Sequence, residues 1–239
     1  MLHEAVALVI IALAPGLMGL AAAAGLDGGK WLAAAVGGGG WILAYVLRVP
    51  VTLIAGRVLE SGQLLVLLLA LSGIVEEGVR FLLIRWLRRE EGVDIRKVLS
   101  LGLGWGVAEA LLIYVAYIPL AMLRGYSYAE MLPGAVERVV ATCFHTLVSL
   151  IVACAVLRSS LATLLGAMAL HSGFNAVGVA AAATLRRLWL VEATLATTLL
   201  VPLTAAILCL RYLRGYGQGL SSAKSYTSAE EKEHVGAGI

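Results

Sequence analysis

The stretch Glu76-Glu77-Gly78-Val79-Arg80 lies inside an otherwise apolar run from Gln63 to Trp86. Such a run is long enough to cross a bilayer as a helix, which takes about 20 residues. Three charged side chains then stand at membrane depth, each costing roughly 2.5–3.5 kcal/mol near the bilayer centre. Helical spacing relieves part of that cost. Glu76 is four residues from Arg80 and Glu77 is three, so either acid reaches the arginine. One arginine neutralises one glutamate, and the other carboxylate needs a proton or another partner.

Working outward, the chain shows seven apolar segments of spanning length, at 2–24, 31–56, 63–86, 98–123, 135–157, 160–184 and 188–212. The composition agrees: 61% of the 239 residues are hydrophobic, 14% are charged, and the mean hydropathy is +0.93. Those values exclude an ordinary soluble domain. The expected fold is an all-α polytopic membrane protein, a bundle of about seven transmembrane helices in one domain over 1–214. A disordered cytoplasmic tail is expected over 215–239, where Gly, Ser and charge dominate. The net charge of +3 is small, and no nucleic-acid partner is expected. Cys143, Cys154 and Cys209 lie in apolar segments without a CxxC pair and read as buried apolar residues. The first apolar run lacks a positive leader region and is too long for a signal core, so it reads as a retained span.

Local signals refine the spans. Pro15-Gly16 should kink the first and Pro202 the last. Gly37 to Gly40, and the pair Gly102 and Gly106, allow a neighbouring helix to approach closely. The same glycine-rich faces would suit a homodimer, which the sequence leaves open. Tyr126, Tyr128 and Pro133 suggest an interfacial turn, with Ser127 and Glu130 capping a short helix. Glu90-Glu91 and Glu137-Arg138 read as solvated or interfacial span ends. Arg85, Arg88, Arg89, Arg96 and Lys97 crowd the loop after the third span, which the positive-inside rule makes cytoplasmic. Lys30, Arg158 and the tail then share that side, and Arg48, Arg57, Arg124, Arg138, Arg186 and Arg187 face the other. The expected location is the cell membrane, with the N terminus outside and the C terminus cytoplasmic.

Four consecutive spans bring an ionisable side chain to about one depth: Glu76 and Glu77, then Glu109, His145 and His171. Intramembrane ionisable groups face a bundle interior or a wet cavity and mark function. His171 and Asn175 are four apart and share a helix face. Glutamate and histidine in a confined cavity suit acid–base work on water, and His171 with Asn175 could stabilise an oxyanion. No serine or cysteine stands in a nucleophile motif, so attack by activated water on a peptide bond is expected, without a resident cofactor. The metal version uses Glu76, His145 and His171 as zinc ligands, although no HExxH occurs.

The order Glu-Glu-x-x-Arg, then Phe144-His145-Thr146, then His171-Ser172-Gly173-Phe174-Asn175 resembles the glutamic intramembrane protease superfamily. That group includes the type II CAAX prenyl proteases, the CPBP proteins and PrsW. With Gly102-Leu103-Gly104-Trp105-Gly106-Val107-Ala108-Glu109-Ala110, the motifs resemble its YhfC-like and PrsW-like branch. The resemblance covers spans three to six, 63–184. It implies an intramembrane endopeptidase acting on a membrane-embedded or membrane-anchored protein or peptide. It further implies that Glu76 with His145 activates water, that His171 and Asn175 bind the oxyanion, and that Arg80 positions Glu76 and Glu77. Glu109 matches an extra acid of that branch, with no role attached. Here the arginine comes one residue sooner than in the prenyl proteases and Phe144 directly precedes His145, which argues against prenylated substrates. Two rivals remain: a proton- or ion-coupled transporter using the Glu/His cluster, and a scaffold in which the polar groups only specify packing. No internal repeat of the transporter kind is visible.

Overall fold

A computed structural model describes residues 2–88 and 93–213 of the chain. The expected tail at 215–239 and the Glu90-Glu91 pair lie outside the described residues. Among those described, every regular element is helical: α1 (Leu2–Ala24), α2 (Gly28–Ala55), α3 (Ser61–Leu87), α4 (Ile95–Glu109), α5 (Ile118–Leu123), α6 (Tyr128–Arg158), α7 (Leu161–Thr184) and α8 (Leu188–Thr198). Six segments are long and apolar enough to cross a membrane: Leu2–Ala24, Gly28–Ala55, Ile95–Leu123, Tyr128–Arg158, Leu161–Thr184 and Leu188–Leu213. Helix α3 matches them in length at 27 residues and carries Glu76, Glu77, Arg80 and Arg85 in its C-terminal half. The chain is an all-α polytopic membrane protein.

Short polar side chains mark where the helices begin. Asp27, Asp94, Ser127 and Ser160 cap α2, α4, α6 and α7, each accepting from backbone N–H groups of the first turn. Ser127 and Glu130 do form a reciprocal capping box, but it opens the 31-residue α6 instead of a separate short helix, and Pro133 lies inside α6. Helix α1 likewise runs unbroken through Pro15. The fourth span is less regular than expected. After Glu109 it passes through a π-helical turn at Ala110–Tyr114 and a 3-10 turn at Val115–Tyr117 before α5 resumes. Pro119 has no N–H and its ring crowds the carbonyl four residues back, at Val115, which accounts for the 3-10 turn there. By the same geometry α8 ends at Thr198, four residues before Pro202, and the last span continues as a further helix over 200–213.

Helix α6 is the axis of the bundle. In its most apolar stretch 78% is buried, against 33% or less in the other five spans. The glycines expected to permit close approach do so on two faces of α4. A Cβ at Gly102 would stand 2.7 Å from the Thr146 Cα, and one at Gly106 2.6 Å from the Thr142 Cα, both on α6. On the other face Gly104 meets the Ala34 backbone and Gly37 the Leu101 carbonyl, which brings α2 against α4. Gly73 does the same for α3 against Met168 and Ser172 of α7. These glycines set the spacing at which side chains from α2, α3, α4, α6 and α7 converge. Of the cysteines, Cys154 is buried but Cys143 is exposed, contrary to the expectation that all three lie inside.

Candidate active site and metal centre

Helix α3 supplies the acids and α6 and α7 the histidines. Glu77 and Arg80, three residues apart, pair through Nη1 at 2.5 Å with both side chains wholly buried. Glu77 also accepts from His171 Nδ1 at 2.6 Å. An ionised carboxylate only accepts, so His171 carries its proton on Nδ1. Its Nε2 is left facing Glu76 Oε2, 3.9 Å away. Arg80 stacks on the Trp105 ring, 4.2 Å from its centroid, and its Nη2 lies 3.0 Å from His145 Nδ1. A guanidinium only donates, so Nδ1 of His145 accepts and Nε2 carries the proton. That Nε2–H donates to Glu109 Oε2 at 2.5 Å.

The second carboxylate of the opening motif is not surplus. Glu76 pairs through Oε1 with Arg48 of α2 at 2.9 Å and accepts at Oε2 from Trp105 Nε1 at 3.1 Å. Glu109 is tied in turn to Arg138, at 2.7 Å, and Arg138 also binds Glu137 at 2.5 Å. Arg138 is therefore buried, 8% exposed, and the expectation that Glu137-Arg138 is a solvated or interfacial span end fails for Arg138, whereas the Glu137 side chain stays partly exposed. Arg138 stands seven residues before His145, two turns along one face of α6, which is how it reaches the same acid. Asn175 donates to Ser72 Oγ at 2.9 Å. Thr142, Thr146 and Ser149 donate to backbone carbonyls of α6 and leave the His145 ring alone.

These groups surround a cavity of about 300 Å³ whose walls include Arg48, Glu76, Glu109, His145, His171 and Asn175. Phe144 and Phe174 stack at 4.2 Å behind the two imidazoles and close off its apolar side. The predicted acids, histidines and Arg80 thus lie together, and Asn175 lines the same cavity while bonding only to Ser72. Glu76, His145, His171 and Glu109 line the cavity, whereas Glu77 and Arg80 stand behind it. The sequence reading missed Arg48 and Arg138 by placing them at the membrane rim. A signal existed: both are charged residues inside apolar segments, the criterion that picked out Glu109.

Glu76, His145 and His171 each offer one ligand atom, and those atoms lie within 4.8 Å of one another. Two imidazole nitrogens and one carboxylate are the ligand types of a catalytic zinc with one position open. Each imidazole also has its outer N–H on a carboxylate, Glu77 for His171 and Glu109 for His145. That arrangement orients and strengthens histidine ligands. The donor set fits a divalent metal. Residues 42–119 match the model of the YhfC intramembrane metalloprotease family. The YhfC match holds Arg48, Glu76, Glu77, Arg80, Trp105 and Glu109, and the two histidines lie beyond it. No curated protein and no solved structure matches the chain. The match bears out the suspected YhfC-like branch, and the family's name and this donor set are compatible with a possible zinc but not with a firm absence of cofactor.

Proposed function

We infer that the protein is an intramembrane endopeptidase hydrolysing a peptide bond of a membrane-associated protein or peptide, with Glu76, His145 and His171 holding a zinc ion. The observation that carries this reading is the pairing of both imidazoles with outer carboxylates while Glu76 faces them across a buried cavity. A zinc ion at these ligands would supply a Lewis acid and lower the pKa of a bound water. The residues around it do the rest. Glu77 holds His171 with Nε2 inward, and Glu109, kept in place by Arg138, holds His145 with Nδ1 inward. Arg80 offsets the negative charge of the α3 acids, and its Nη2, which donates to the His145 Nδ1 lone pair in the structure described, would give up that lone pair to the ion. Asn175 spends one amide N–H on Ser72 and keeps a second for a substrate carbonyl oxygen.

The orientation proposed is N terminus outside and C terminus in the cytoplasm of a cell membrane. With Arg48 and Arg138 inside the bundle, fewer cations remain on the opposite face. Arg85, Arg88, Arg96, Lys97, Lys30 and Arg158 stay together near the ends of α3, α4, α2 and α6. A Cβ at Gly29 would stand 3.6 Å from Lys97 Cε, and Arg88 donates to the Val156 carbonyl, which supports that grouping.

The test uses purified full-length protein with Glu76→Ala and His171→Ala variants. Metal content is measured, and cleavage of a quenched transmembrane peptide library is followed with and without chelator. Stoichiometric zinc in the wild type, cleavage lost on chelation and restored by zinc, and folded variants lacking both would support the reading. Cleavage surviving chelation in metal-free protein would return the water to glutamate alone. Neither metal nor cleavage would favour the transporter.

A further inference from the structure

Beside the site cavity lies a space of different character. Between the C-terminal half of α2 and the N-terminal half of α3 runs a groove of about 380 Å³, lined by Tyr45, Arg48, Val49, Thr52, Leu53 and Leu68. Tyr45 and Arg48 line the site cavity as well, so those two side chains form the wall that the two spaces share. The α2 residues recur at intervals of three and four and form one helix face. Leu53 is 63% exposed, so the groove opens outward from the bundle. Leu68 precedes Glu76 on α3 by eight residues, about 12 Å along the helix axis.

Lipid chains alone would ask nothing polar of this groove, yet Arg48 reaches from it onto Glu76. The three arginines of the site are held differently. Arg80 pairs with Glu77 and stacks on Trp105, and Arg138 binds two acids. Arg48 has Glu76 as its one acidic partner among the described residues, the Tyr45 ring at the longer distance of 6.0 Å, and a side chain 18% exposed. It is therefore the cation least committed to the resting network and the one nearest the outside.

We propose that the α2–α3 groove seats the apolar segment of the substrate that adjoins its scissile bond. This rests on the endopeptidase reading. The substrate is then an apolar peptide segment arriving from the bilayer between α2 and α3. Arg48 is a positioning residue that releases Glu76 and donates to a backbone carbonyl of the arriving chain. An extended peptide has free carbonyls at each residue, which lipid chains lack.

The experiment has two arms, both on the full-length protein in vesicles of phosphatidylethanolamine and phosphatidylglycerol. In the first, benzoylphenylalanine replaces Leu53, and a single-span apolar peptide is the crosslinking partner. The same replacement at Leu165, exposed on α7, is the reference. About tenfold more peptide adduct at 53 than at 165, lost with excess unlabelled peptide, is the expected result. Equal yields, or adducts with lipid alone at 53, would overturn the proposal. In the second arm, Leu53→Trp fills the groove. Cleavage of a membrane-spanning substrate should fall about tenfold in kcat/KM, with a short water-soluble peptide of the same cleavage site unaffected. Equal losses on both substrates, or none on either, would count against the groove. Specific crosslinking at 53 in a wild type that cleaves neither substrate would sink the endopeptidase reading and leave the groove standing.

Discussion

Arg80 and Glu77 form a pair with no exposed surface, and such a pair punishes the loss of one partner more than the loss of both. Glu77→Gln leaves the buried Arg80 guanidinium without the acid it pairs with, and it should cost about 3–5 kcal/mol, read as a fall in Tm in detergent. The double variant Glu77→Gln with Arg80→Met should recover most of that loss. Because Glu77 also holds His171, both variants should bind zinc more weakly even where stability returns. Glu109→Gln tests the other imidazole. It keeps the shape and removes the charge that fixes His145, so zinc affinity should drop about 10- to 100-fold by equilibrium dialysis. An unchanged affinity would mean that the Glu109–His145 bond is structural only.

At the scale of elements, glycines decide how deeply the helices interpenetrate, and the tetraglycine of α2 offers an internal control. A methyl group at Gly39 meets nothing within 4 Å, whereas one at Gly37 collides with the Leu101 carbonyl of α4. Gly39→Ala should therefore be neutral or stabilise by up to about 1 kcal/mol, since alanine is the better helix former. Gly37→Ala should destabilise by about 1–3 kcal/mol through overpacking, with a correspondingly lower Tm. If both behave alike, α2 and α4 are not in the contact described. The π-helical turn begins directly after Glu109, and Ile113 within it lines the cavity. Such turns recur at functional sites because the extra residue re-aims neighbouring side chains.

For the whole molecule, a metal held as proposed by residues of α3, α6 and α7 would also be a crosslink between them. Anything that binds only the folded state stabilises it, by about 2.7 kcal/mol at a hundredfold excess over Kd. Chelation should accordingly lower the Tm of the wild type and leave that of His171→Ala unchanged. An equal fall in both would show that the chelator acts elsewhere. The proposed orientation predicts that a reporter fused after residue 213 is active in the cytoplasm and inactive outside.

The sequence by itself determined the class of fold and singled out the acids and histidines that the candidate site brings together. Hydrophobic runs of spanning length leave a helix bundle as the economical way to satisfy backbone polar groups in lipid. The cost of burying Glu76, Glu77, Glu109, His145 and His171 marked them as a group before any contact was known. It did not determine who pairs with whom. Spacing on α3 allowed Arg80 either glutamate, and only packing of α2 brought Arg48 to Glu76 and left Arg80 with Glu77. Nor could it place Arg138, because a charge near a span end reads as solvated until α4 is laid against α6 and Glu109 appears opposite it. A residue's depth is a one-dimensional property and can be read along the chain. Its partners depend on helix rotation and on the interhelical distances that Gly37, Gly73, Gly102, Gly104 and Gly106 permit, and those belong to the tertiary structure alone.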